Sequence, residues 1–94
     1  LDLRSTKITS LPDNLKVGGS LYLENTLITS LPDNLEVGGY LDSRNTKITS
    51  LPDNLKVGGF LDLSNTPLSK KYSKEEIEKM IEDKGGRVKG EIYI

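Results

Sequence analysis

The side chains that could do chemistry recur at intervals of twenty residues. Asp2, Asp42 and Asp62 form an incomplete carboxylate column, and Asp13, Asp33 and Asp53 form a complete one. Stacked carboxylates are the oxygen donors that a hard cation such as calcium takes. Both columns have simpler uses. Arg4 and Arg44 stand two residues after Asp2 and Asp42 and offer ion pairs, and the turn aspartates have nearby backbone N–H groups to accept from. No metal ligand is assigned. Gly18-Gly19 and its copies lack the lysine and the following helix that a phosphate loop needs. Ser43 stands alone where other repeats have Leu3 and Leu23, and reads as a defect in an apolar layer or a water site. A buried Leu→Ala void costs about 2–5 kcal/mol. The chain has no His and no Cys, which removes a Ser–His relay, a thiol nucleophile and the usual zinc ligands. The expectation is a non-enzyme without cofactors.

Composition narrows the classes further. Thirteen basic residues against fourteen acidic ones leave a formal charge of −1, which provides no global field for nucleic acid. Neither a signal-peptide pattern nor an apolar run long enough for a membrane is present, and the compartment stays open. The 94 residues are 34% hydrophobic and include only five aromatics, so any core must be thin and economical.

Repetition supplies the frame for these side chains. Residues 1–20, 21–40 and 41–60 are three copies identical at thirteen of twenty positions, and a partial fourth spans 61–69. Twenty residues is too short for paired-helix repeats. Leu21-Tyr22-Leu23 and its equivalents alternate apolar and polar, which predicts short strands. The Gly-Gly pairs before them and the Pro12-Asp13-Asn14 type segments predict turns. One repeat cannot bury its own apolar residues, so the repeats must stack. The predicted result is a short-strand parallel sheet on one face and turns or 3₁₀ segments on the other.

The pattern L-x-L-x-x-T-x-I-x-x-L-P-x-x-L at 1–15 and 21–35, and at 41–55 with Ser43 replacing Leu, resembles the leucine-rich repeat. The 20-residue length and the Leu-Pro pair make it similar to the short bacterial and phage-type class. The resemblance implies an α/β repeat solenoid, an arc that recognises partners. It departs in one column, where Thr6, Thr26, Thr46 and Thr66 replace the usual asparagine. A hydroxyl makes fewer hydrogen bonds than an amide. By the same resemblance, a further reading is the recognition half of a secreted effector.

Residues 70–94 depart from the repeat and predict a C-terminal cap. Ser73 with Glu76 makes a capping box, Ile77, Met80 and Ile81 follow at helical spacing, and Gly85 is a stop. A helix at about 73–84 is expected to cover the last repeat. Val88 to Ile94 aligns with Val17 to Leu23, so a last strand is expected at about 91–94. Leu1 falls in mid-strand, which predicts further repeats upstream or end-to-end self-association there.

Strand alternation sorts the candidate site. Residues between and beside the inward leucines point outward: Asp2, Arg4, Tyr22, Glu24, Tyr40, Asp42, Arg44, Phe60, Asp62 and Tyr93. All three outward columns are among the seven variable positions, and four of five aromatics lie in them. Aromatics beside Arg match binding hot spots, although cross-strand aromatic pairs also simply stabilise a sheet. The expected function is recognition, with a protein partner first and a glycan second, and neither nucleic acid nor membrane. The alternative is a structural or virion-type assembly component of near-identical repeats. A third reading, ice binding through Thr9, Thr29 and Thr49, needs threonines paired along a strand, and these are not.

Overall fold

A computed structural model describes residues 1–94. The repeats supply strands of two residues, one from the first repeat and two from each of the second and third. In chain order these are β1 (Lys16–Val17), β2 (Leu21–Tyr22), β3 (Glu36–Val37), β4 (Leu41–Asp42), β5 (Lys56–Val57) and β6 (Leu61–Asp62). Two helices follow, α1 (Pro67–Lys71) and α2 (Lys74–Asp83), and then β7 (Arg87–Val88) and β8 (Ile92–Tyr93). The strands form two parallel four-stranded sheets, ordered β1-β3-β5-β7 and β2-β4-β6-β8. Asp2 extends the second through a single bridge to Tyr22.

The pairing follows the repeat. Leu21 lies beside Leu41 and Leu41 beside Leu61, while Val17 lies beside Val37 and Val37 beside Val57. Backbone bonds continue the ladder past the strand ends, as in Leu23 N–H to the Asp42 carbonyl at 2.8 Å and Ser43 N–H to that of Asp62 at 2.9 Å. In-register pairing stacks like on like. Leu21, Leu41, Leu61, Ile28, Ile48, Leu35 and Leu55 all join one apolar cluster of 17 buried residues. Leu3, Ile8, Leu11, Leu15 and Val17 of the first repeat pack against that cluster but are only partly buried.

The face expected to hold turns or 3₁₀ segments instead carries the β1-β3-β5-β7 sheet, and no 3₁₀ segment is present. The reason is visible in Leu35-Glu36-Val37, which alternates in and out as a strand does: Leu35 and Val37 are buried and Glu36 is not. Turns at Asp13-Asn14 and its copies lead into these strands.

All six asparagines have positive φ, between 54° and 64°. Asparagine tolerates this left-handed region better than other side-chain-bearing residues. Two left-handed corners per repeat therefore bend the chain between sheets. Their side chains also form ladders: Asn34 Nδ2 donates to Asn14 Oδ1 at 2.7 Å, and Asn54 Nδ2 to Asn34 Oδ1 at 2.9 Å. Asn65 donates to Asn45 in the other corner. The threonine column bonds locally instead. Thr6, Thr26, Thr46 and Thr66 each donate to the carbonyl three residues earlier, at 2.7–2.8 Å.

Helix α2 forms where the capping box predicts it. The Ser73 side chain accepts from Glu76 N–H, and the Glu76 carboxylate accepts from Ser73 N–H. Ile77 and Ile81 are buried. The short α1 is an addition to the sequence reading, started by a Thr66–Ser69 capping box with Pro67 at its first position. After α2 the repeat resumes. Val88 pairs with Val57 and Ile92 with Leu61, an offset of 31 residues rather than 20. Gly85, at φ 77°, stands in register with Asn54 and makes the same left-handed corner. No helix is long and apolar enough to cross a membrane.

Two stability predictions follow from this packing. A methyl group on Gly58 would lie 2.2 Å from the Gly38 carbonyl oxygen, whereas one on Gly18 meets nothing within 4 Å. Gly58→Ala is expected to cost about 1–3 kcal/mol in urea unfolding, and Gly18→Ala to be neutral or slightly stabilising. Equal effects would contradict the close approach. Ser43 is fully buried and its hydroxyl has no hydrogen-bond partner. Ser43→Ala is therefore expected to stabilise the chain by about 1 kcal/mol, read from the same unfolding curves.

Candidate functional site

The outward side of the β2-β4-β6-β8 sheet gathers the residues singled out in the sequence into three groups. The first is aromatic. Tyr40 and Phe60 are a repeat apart, and their rings stack with centroids 4.1 Å apart at an interplanar angle of 13°. Phe60 in turn meets Tyr93 edge-on at 5.4 Å and 82°. Phe60 is half-buried between its neighbours, while Tyr40 and Tyr93 remain 45% and 47% exposed. The wall thus does both things expected of it: its rings brace the sheet, and its two ends face solvent.

The second group surrounds Arg44. Its guanidinium holds Asp42 through two bonds of 3.0 Å and donates to Glu24 at 2.8 Å. Asp62 lies 3.6 Å from Nε. These neighbours raise the Arg44 pKa above its ordinary value, chiefly through the hydrogen bonds to Asp42. One cation therefore organises carboxylates from three successive repeats. Asp62 has no arginine two residues on; it accepts instead from Ser64 N–H at 2.9 Å and from its hydroxyl at 2.6 Å.

The third group is smaller. Arg4 clasps Asp2 through Nε at 2.9 Å and Nη2 at 2.7 Å, and its guanidinium lies 5.3 Å from the Tyr22 ring centroid. These bonds hold the Asp2 carboxyl at a pKa of about 2. The Asp-x-Arg unit explains both pairs. Asp Oδ1 also accepts from the Arg backbone N–H, at 3.1 Å for Asp2 and 3.2 Å for Asp42, so the acid is fixed before the side chains meet.

Two readings of the sequence need correction. Asp42, expected on the open face, is only 7% exposed because Arg44 folds over it. The turn aspartates were expected to accept from local backbone. Asp13 and Asp33 instead accept from Asp33 N–H at 3.2 Å and Asp53 N–H at 3.0 Å, in the next repeat. Parallel stacking brings that donor within hydrogen-bond reach of the carboxylate. Sequence reasoning missed the Lys74–Glu91 pair at 3.0 Å, which ties α2 to the edge of this face. A lysine opening a capped helix gave no sign of that partner.

No group of three or more acidic side chains is placed to hold a metal ion. Thr9, Thr29 and Thr49 are exposed but lie outside both sheets. No protein-family model matches the chain, and neither curated proteins nor solved structures give a match.

The Asp2–Arg4 clasp is testable by titration. Because the folded-state pKa lies below the ordinary 3.8, ionised Asp2 favours the folded chain above about pH 4. That contribution fades as the pH falls toward 2. Carboxyl-detected NMR is expected to place the Asp2 midpoint near 2, and to return it to the ordinary range in Arg4→Ala. An unmoved midpoint in that variant would sink the assignment.

Proposed function

We propose that this chain forms a leucine-rich repeat solenoid and acts as a non-catalytic recognition module. It binds a protein partner through the outward side of the β2-β4-β6-β8 sheet. The observation that carries this is the aromatic wall of Tyr40, Phe60 and Tyr93, whose two outer rings stay about half exposed beside the Arg44 cluster. Rigid aromatics next to arginine are the commonest hot-spot chemistry, and their rings are already ordered, which lowers the entropy lost on binding. The in-register offset of 20 residues in both sheets supports the solenoid reading. The wall and the Arg44 cluster draw on residues that vary between repeats, while the apolar layer beneath them is nearly constant.

The assembly alternative rests on the thirteen-of-twenty identity between repeats, and both readings meet in one experiment. The wild-type chain, immobilised, is expected to capture a protein from extract of its source cells. Tyr40→Ala/Tyr93→Ala is expected to weaken that capture by tenfold or more, as loss of about 2 kcal/mol at a hot spot does. Lys7→Ala/Lys47→Ala is expected to leave it unchanged. Undiminished capture by the aromatic variant defeats the recognition reading. Sedimentation of the free chain as concentration-dependent multimers favours assembly.

A further inference from the structure

The formal charge of −1 conceals two faces of opposite sign. The outward side of β2-β4-β6-β8 carries five carboxylates (Asp2, Glu24, Asp42, Asp62 and Glu91) against Arg4, Arg44 and, at its edge, Lys74. The other sheet has the reverse. Lys16, Lys56, Arg87 and Lys89, with Glu36 as the one acid, line an open groove of about 380 Å³ across all four of its strands.

The basic groove is not neutralised from within. Lys16 lies 3.6 Å from Glu36, but Lys56, Arg87 and Lys89 have no carboxylate within 4.0 Å. Lys56 and Arg87 are direct cross-strand partners. Like charges placed opposite one another on a sheet destabilise it, and an anionic ligand would supply the counter-ion that neither Lys56 nor Arg87 finds within the chain. The groove's floor is backbone. Gly38 and Gly58 cannot carry a side chain, because the preceding repeat's carbonyl lies 2.2 Å from where their Cβ would be. Lys89 stands in register with Gly58 and places a third cation at the end of that bare column.

We propose that this groove binds an acidic polysaccharide, whose sulfates or carboxylates meet Lys56, Arg87 and Lys89. Lys56 and Arg87 lie one strand apart, about 4.8 Å, and Lys89 lies two residues further along the chain from Arg87, a short spread of cations that a sugar chain with one acid per unit can span. The backbone groups of β3 and β5 are already paired on both sides within the ladder, so a peptide could add no strand across the middle of the groove. No aromatic side chain lines the groove, so a nucleic-acid base has nothing to stack on. Arginine takes a sulfate or carboxylate through two parallel bonds. The site is separate from the aromatic face and stands or falls independently of it.

Binding of dextran sulfate and of polygalacturonate is measured by calorimetry at low and moderate salt, with neutral dextran as the blank. The two acidic polymers separate sulfate from carboxylate preference. Lys56→Gln/Arg87→Gln/Lys89→Gln is expected to weaken binding of the preferred polymer by tenfold or more. Lys7→Gln/Lys47→Gln/Lys70→Gln, with the same change in net charge, is expected to bind as wild type does. Glu36→Gln removes the groove's one acid and is expected to tighten binding, a readout that does not depend on the triple variant folding. Added salt is expected to weaken all of it. The proposal is overturned if neither acidic polymer binds, or if the distant triple variant loses as much as the groove variant. Tighter binding of polyglutamate or of a single-stranded oligonucleotide also overturns it.

Discussion

Everything in this molecule hangs on the backbone ladder between residues twenty positions apart. Strands of two residues are too short to hold a sheet by side-chain contact alone. They persist because each repeat donates to and accepts from the next at both ends, as Glu36 N–H does to Leu15 and Leu23 N–H to Asp42. A ladder in register brings identical residues together, so one sequence must satisfy its own copy. Leucine on leucine does this by dispersion and burial. Asparagine on asparagine does it because an amide both donates and accepts. Glycine on glycine does it by letting a carbonyl approach where any Cβ would collide.

The cap keeps the ladder's terms while replacing its contents. Between the Asn65 corner and the Gly85 corner lie eleven more residues than between the equivalent corners of the third repeat. The lengthened segment forms α1 and α2 in place of the Leu-Pro turn. Gly85 ends α2 in the left-handed conformation that a helix C-terminus favours and also repeats the corner made by Asn54. Gly86 then occupies a leucine's place. A Cβ there would lie 3.0 Å from Ile81 Cγ2, so the helix side chain takes up the volume that the leucine fills elsewhere. One residue thus closes a helix and reopens a sheet.

How far the chain could be read without coordinates depended on whether a partner lay within a repeat or between repeats. Strand β2 and its copies, α2 with its capping box and the Asp-x-Arg pairs were legible because each is set by residues a few positions apart, and the Val88–Ile94 return because it copies the Val17–Leu23 pattern. The second sheet was not. Lys16-Val17 is flanked by turn residues on one side and glycines on the other, and its strand character appears only when Lys16 meets Glu36 and Lys56 alongside it. The asparagine ladders were missed for the same reason: Pro-Asp-Asn explains itself locally as a turn. Asp42 was misplaced because alternation gives direction, not cover. Arg44 supplies the cover.

The sequence alone determined the period, the inward leucine and isoleucine columns, the helix at the C-terminal end and the outward placement of four aromatics. Each of these follows from spacing, which the covalent chain carries with it. Only the tertiary structure decided that Tyr40, Phe60 and Tyr93 close into one wall, and that Arg44 gathers acids from three repeats. It alone divided a nearly neutral chain into an acidic face and a basic one. Net charge is a sum over residues and has no direction. Stacking gives it one, because position 16 of every repeat falls on one sheet and positions 2 and 4 on the other.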